Sequence, residues 1–118
     1  MPFTSADFDP RSPYEWPQAL ACAARQLEAA RRAEGAREAL ATALEETIEI
    51  WASIRAMTAR QATGLAPEVR TNLHRIADYV IGTVRREGIH LAEETMDSLV
   101  NINTQIALRL QDGLSEAA

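Results

Sequence analysis

Apolar residues recur every three or four positions along most of the chain, which is the spacing of one helix face. In the longest such stripe, Leu40 and Leu44 are followed by further apolar residues about one turn apart as far as Ile54. Nowhere does an alternation of apolar and polar residues persist, so no strand is predicted. The pattern predicts helices over residues 18–33, 37–62, 67–87 and 89–111.

Glycine and proline fall between the predicted helices. Gly35 separates the first two, Gly64 ends the second, and Gly113 closes the last. The third begins at Pro67, because proline is well tolerated in a first helical turn. Short connections favour helices that run antiparallel to their neighbours. We therefore predict an all-α fold, with four main helices in a compact antiparallel bundle-like arrangement.

The N-terminal segment differs from the rest, because four of the five prolines lie within residues 1–17. Proline at this density prevents regular helix. The segment is also rich in aromatic residues, and Pro17 at a first helical position would place Trp16 beside the first helix. The predicted organisation is an irregular segment at 1–17, a single helical domain at 18–114 and a flexible C-terminus at 115–118.

One polar residue interrupts the apolar stripe of the last predicted helix. Asn103 lies between Leu99 and Ile106, and burying an unpaired amide costs roughly 1–3 kcal/mol. We interpret it as a buried amide that hydrogen-bonds across the bundle and fixes the helix register, so that leucine at this position should keep or raise thermal stability. The predicted core and register positions are Trp51, Leu73, Ile76, Leu99, Asn103, Ile106 and Leu110.

The third and fourth predicted helices carry more apolar residues than one narrow stripe requires. These surplus positions are Ile81, Ile89, Leu91, Val100 and Leu108. They either complete the core or form an apolar groove for a partner helix, which such grooves recognise through anchors at i, i+3, i+4 and i+7. The sequence leaves both interpretations open.

Charge and composition narrow the classes of function. The net charge of −5 argues against a nucleic-acid or anionic-membrane surface. The start of the chain lacks the basic and apolar regions of a signal peptide, and no apolar run approaches the ~20 residues of a membrane span. We therefore expect a cytoplasmic protein. Cys22 is the single cysteine and is expected to be a small buried apolar residue.

Motifs for catalysis or metal binding are sparse. Glu87 and His90 have the i, i+3 spacing of di-iron bundles, but such sites need the motif twice and further glutamates. His74 has no nucleophile near it in sequence, and no phosphate-binding or dinucleotide motif occurs. Arg70 and Arg75 on the third helix would suit a helix-turn-helix protein, which the acidic charge disfavours. We predict no catalytic, metal or cofactor site.

Three segments together resemble the FlaF family of flagellar biosynthesis regulators of alphaproteobacteria. In the segment ALEETIEIWASI, Ile50 and Trp51 fit an Asn-x-x-Leu-Trp pattern, with Thr47 in place of the asparagine. The segment LAPEVRTNLHRIADYV is similar to the family's Leu-Pro-x-x-Leu-Arg-x-x-Leu turn into a helix. The segment SLVNINTQIALRLQDGL resembles its Leu-Ile-x-Ile-Asn-x-x-Ile-x-x-Gly-Leu ending, in which Arg109 stands where glycine is common.

The resemblance implies a small cytosolic, non-catalytic protein needed for flagellin production and export. Members of the family resemble flagellin-binding secretion chaperones and act alongside FlbT, a post-transcriptional regulator of flagellin synthesis. The implied partners are the helical terminal regions of flagellin and a FlbT-type regulator. Two alternatives stay open: a homodimeric helical scaffold, and a direct regulator of flagellin messenger RNA, which the net charge and the scarce aromatic residues on the helices disfavour.

Overall fold

The computed structural model describes residues 13–32, 37–60 and 65–117. Within these ranges all the regular structure is helical, which confirms the predicted all-α class. The main helices are α1 (Trp16–Arg32), α2 (Arg37–Thr58), α3 (Pro67–Glu87) and α4 (Glu93–Ala117). Single-turn 3-10 helices, Pro13–Glu15 and Gly88–His90, lie before α1 and between α3 and α4.

The helices pack in the spatial order α4, α1, α2, α3. The closely packed pairs are α1 with α4, α2 with α3, and α1 with α2. α1 and α4 are antiparallel, because Arg31 in the last turn of α1 donates a hydrogen bond of 2.6 Å to Asp97 near the start of α4. Glu93, in the first turn of α4, lies 3.9 Å from the same guanidinium. The hydrogen bond to Asp97 is the main reason why the pKa of Arg31 is raised above its ordinary value.

α2 and α3 are also antiparallel. The Nε atom of Arg55, near the end of α2, lies 3.1 Å from a carboxylate oxygen of Asp78 in α3, and His74 lies 3.7 Å from the same carboxylate. Arg70, near the start of α3, donates to the carbonyl of Arg60 just beyond α2 at 3.5 Å. These groups are largely exposed, so their contacts orient the two helices more than they stabilise them.

The core is built mainly from alanine and aliphatic side chains around two tryptophans. Trp16 and Trp51 are fully buried. Of the predicted core positions, Ile76 and Ile106 are only partly buried and pack against the core, while the others are buried as expected. The buried apolar residues are Trp16, Ala19, Leu20, Cys22, Ala23, Ala24, Leu27, Ala30, Ala43, Leu44, Ile50, Trp51, Ile54, Leu73, Ala77, Val80, Ile81, Val84, Met96, Leu99, Ala107 and Leu110.

The boundary of the N-terminal segment was predicted too late in the chain. Helical structure begins with the 3-10 turn at Pro13, and α1 starts at Trp16 inside the range expected to be irregular. Proline does not prevent this, because the N–H that Pro17 lacks is not needed in a first helical turn. Burial of Trp16 instead draws the start of α1 onto the core. Residues 1–12, and the expected breaks at Gly35 and Gly64, lie outside the described residues.

The predicted ends of the second and fourth helices are wrong. α2 stops at Thr58, where the turn closes with hydrogen bonds from the next two backbone amides, instead of continuing to residue 62. α4 begins at Glu93 and not at Ile89, because Gly88 has a φ of 53° that ends α3 and redirects the chain.

Gly113 does not close α4, which continues to Ala117 through residues expected to be a flexible terminus. A single glycine costs a helix only about 1 kcal/mol relative to alanine, which neighbouring turns can offset. The predicted start of α3 at Pro67 and its basic last turn, with Arg85 and Arg86, are confirmed.

Candidate partner-binding surface

A buried hydrogen bond joins α2 to α4 across the core. The indole Nε1 of Trp51 donates to the side-chain Oδ1 of Asn103 at 2.8 Å, and both residues have no exposed surface. Asn103 is therefore the buried cross-bundle amide that its position in the apolar stripe predicted. Because both groups are closed off from solvent, the pair fixes how α2 and α4 sit against each other and is not itself a docking site.

The α3 side of the molecule is different, because α3 and α4 are not a closely packed pair. Between the first half of α3 and the second half of α4 lies an open cavity of about 460 Å³. We call it the α3–α4 groove. Its lining residues are Val69, Asn72, Leu73, Arg75, Ile76, Ile106, Arg109 and Leu110.

The α3–α4 groove has an apolar floor and a basic rim. Leu73 and Leu110 are buried at its base, and Val69 is an apolar residue left 38% exposed at its edge. Arg75 on α3 and Arg109 on α4 are exposed, and no aspartate or glutamate lines the groove. Neither arginine makes an ion pair within the described ranges. Apolar surface beside unpaired cations suits an amphipathic partner that carries negative charge.

Two other cavities are less suited to a partner. One of about 420 Å³ between α1 and α4 includes a carboxylate in its lining, and this Glu28 side chain lies 3.4 Å from Arg32, so the cavity is not uniformly basic. The other, of about 350 Å³, lies at the start of α3 and is lined mostly by polar side chains, among them Arg70 and His74.

Comparison with known protein families assigns the chain to a family. A family model described as flagellar protein FlaF matches residues 13–110. The chain belongs to the FlaF family. The match confirms the resemblance found from the sequence, and it spans α1 to α3, the Trp51–Asn103 pair and every residue that lines the α3–α4 groove. Neither the curated proteins nor the solved structures contain a match.

The surplus apolar residues of this FlaF chain do not gather in one groove. Ile81 is 3% exposed and belongs to the core, so its side chain is closed to a partner in this conformation. Ile89, Leu91 and Val100 are half-buried and pack against the core, and Val100 also lines the cavity between α1 and α4. Leu108 alone of the five is largely exposed, at 53%. None of them lines the α3–α4 groove.

Sequence reasoning missed the groove although its signal is present. Val69, Leu73 and Ile76 have the i, i+4, i+7 spacing of one helix face, and Val69 extends that stripe to the exposed first turn of α3. From the sequence, Arg75 suggests only a DNA-reading side chain. The sequence does not show that α3 and α4 are not closely packed. Because of this separation, the apolar stripe at the start of α3 stays accessible.

The described residues of the FlaF chain offer no arrangement for metal chemistry. No three His, Cys, Asp or Glu side chains in these ranges come together as a metal site, and His90 is exposed beyond the end of α3.

The pKa of Glu46 on α2 is raised by partial burial and, secondarily, by the charge of Glu49. No helix within the described ranges is long and apolar enough to cross a membrane.

Proposed function

We propose that this FlaF-family protein is a non-catalytic cytoplasmic chaperone that binds unassembled flagellin and supports flagellin synthesis and export. Its partner is a helical terminal region of flagellin, which assembles as a coiled coil in the filament and must be kept apart before export. A FlbT-type regulator is a further partner in this proposal. Family membership supports the flagellar role, and the surface of the molecule supports the binding role.

The observation that carries the proposal is the uncovered α3–α4 groove. An all-helical protein can hide the apolar face of another helix by accepting it between two of its own helices. The groove offers apolar side chains from both α3 and α4, including Val69 and Ile106, with a basic rim. A flagellin helix lying there would bury its apolar stripe and could not join a filament at the same time.

Calorimetry with purified flagellin monomer tests this proposal. We expect association at micromolar concentrations and a negative heat-capacity change, since apolar surface is buried. Polymerised filament is the control, because its terminal helices are already buried and it should not bind. The absence of binding to monomer, together with binding to RNA from the flagellin leader, would overturn the chaperone proposal in favour of the direct messenger-RNA regulator.

A homodimeric scaffold is the competing function, and the largely exposed Leu108 is the observation that favours it. Mass measured in solution separates the two. A monomer agrees with a chaperone, and so does a dimer that binds flagellin or that dissociates when flagellin is added. A stable dimer that ignores flagellin would establish the scaffold instead.

A further inference from the structure

We propose that the α3–α4 groove selects one amphipathic partner helix whose apolar stripe is flanked by carboxylates, which pair with Arg75 and Arg109. This inference rests on the proposed function for the identity of the partner, because it takes that helix to belong to flagellin. The recognition chemistry itself follows from the groove and stands separately from that identity.

The charge of the groove is opposite to that of the chain. The protein has 17 acidic and 12 basic residues, yet the groove is lined by two arginines and no carboxylate. Both guanidinium groups are exposed and without an ion pair in the described part of the chain. Exposed arginines elsewhere are mixed: Arg55 contacts Asp78 and Arg32 contacts Glu28, whereas Arg85 has no ion pair in the described ranges, so what distinguishes the groove is that its lining holds cations and no carboxylate. Unpaired cations beside apolar side chains favour an acidic partner and penalise a basic one.

The partner is expected to be a helix because of what lines the groove. All the lining residues lie on α3 and α4, so no strand edge is offered for pairing. A partner must therefore satisfy its own backbone hydrogen bonds, as a helix does. Its apolar stripe can contact Val69, Ile76 and Ile106 together.

The two arginines lie on different helices, so the groove can contact both flanks of a bound helix. Arg75 projects from α3 and Arg109 from α4, so a bound helix meets one cation from each wall. A helix with carboxylates on both sides of its apolar stripe can pair with both. A helix with lysines at those positions would bring like charges close to Arg75 and Arg109. It should therefore bind more weakly, even though its apolar stripe is identical.

The first experiment measures the affinity of the full chain for flagellin monomer with charge-reversed variants. The double variant Arg75→Glu with Arg109→Glu should weaken binding by about tenfold, as expected from losing two exposed ion pairs of roughly threefold each. Arg85→Glu, an exposed arginine at the other end of α3, is the matched control and should bind like the wild type. If the double variant bound flagellin as tightly as the wild type, the proposal that the groove is the binding site would be wrong, although flagellin binding itself would stand.

A second pair of variants tests the apolar part of the groove. Val69→Asp places a charge at the exposed edge of the groove, and Leu108→Asp places one on exposed surface outside it. Both side chains are accessible, so both variants should fold. We expect Val69→Asp alone to weaken binding. If only Leu108→Asp weakened it, the binding surface would be elsewhere on α4 and the proposal would be wrong.

Two synthetic helices separate failure of the groove from failure of the proposed function. Both carry a leucine stripe over about 18 residues, long enough for five turns, and they differ only in flanking glutamates or lysines. The wild type should bind the glutamate helix in preference, and the double arginine variant should lose that preference. If flagellin does not bind but this preference is found, the groove stands and the flagellin proposal fails. If both helices bind equally, or neither binds, the groove proposal is overturned.

Discussion

The side chains of Trp51 and Asn103 form a buried hydrogen bond between two helices that are distant in sequence. The indole N–H of Trp51 on α2 donates to the amide oxygen of Asn103 on α4 at 2.8 Å, with both residues fully buried. The other amide atom, Nδ2 of Asn103, has no partner in the described ranges. The pair therefore combines one well-made hydrogen bond with one unsatisfied donor, which makes its net effect on stability measurable by substitution.

Asn103→Leu should lower the free energy of unfolding by about 1–3 kcal/mol, because it leaves the indole N–H of Trp51 buried without an acceptor. From the sequence alone leucine was expected to keep or raise stability; the identity of the donor reverses that expectation. Urea denaturation followed by circular dichroism measures the change. An Asn103→Leu protein as stable as the wild type would show that removing the unsatisfied Nδ2 offsets the lost bond in full.

Trp51→Phe and Trp51→Ala separate the hydrogen bond from packing. Alanine should cost roughly 3–5 kcal/mol, since it removes a fully buried aromatic side chain from a small domain. Phenylalanine keeps much of that volume and should cost less. In a Trp51→Phe background Asn103→Leu should raise stability, because both amide atoms of Asn103 are then buried without a partner, and the double-mutant cycle gives the coupling between the two positions. Additive effects would mean that the bond contributes nothing specific.

Thr47→Val should raise the free energy of unfolding by about 1 kcal/mol, because it removes a polar group that is buried without a partner. Thr47 is fully buried and its hydroxyl has no hydrogen-bond partner within the described residues. Valine has nearly the same shape, so packing is retained. The exposed Thr104 on α4 supplies the control, and Thr104→Val should change stability little. A loss of stability in Thr47→Val would indicate that the hydroxyl is hydrogen-bonded in solution.

Glu46→Gln should make stability less dependent on pH. Burial, with a smaller contribution from the charge of Glu49, raises the pKa of Glu46 in the folded protein. The folded state therefore holds that proton more tightly than the unfolded state, and the stability it contributes in acid is lost as the pH rises through the pKa. At neutral pH the glutamine variant should melt higher than the wild type, and the difference should vanish in acid.

Glu45→Gln is the matched control for this change, since Glu45 is the exposed neighbour on the same helix. Thermal unfolding followed from pH 7 down to about pH 4, near the ordinary range of a glutamate, covers the transition. Equal effects of the two glutamine variants at every pH would show that Glu46 has no special environment.

The sequence predicted the features that depend on local spacing. The helix class, the start of α3 at Pro67 and the burial of Trp51 and Asn103 all follow from helical periodicity and helix-end signals. The resemblance to the FlaF family was also found from three short segments. Each of these features depends on residues that are close together in the sequence, so a single sequence is enough to predict it.

The features that depend on how helices pair could not be predicted in the same way. Periodicity shows that Ile81 and Leu108 are both apolar, but only the packing of α3 on α2 and of α4 on α1 buries the first and leaves the second exposed. The α3–α4 groove arises from a pair of helices that do not pack closely. Gly88 shifted the start of α4 through a backbone conformation that its neighbours do not signal.

Seeded growth of flagellin filaments tests the central claim most directly, because the claim is that this protein holds flagellin in an unassembled state. Monomeric flagellin is added to short filament fragments, and elongation is followed by light scattering with increasing amounts of the full chain. The account predicts that elongation stops when the protein is about equimolar with flagellin monomer and that existing filaments are unaffected, since their terminal helices are already buried. Elongation at an unchanged rate with the protein in several-fold excess would contradict it.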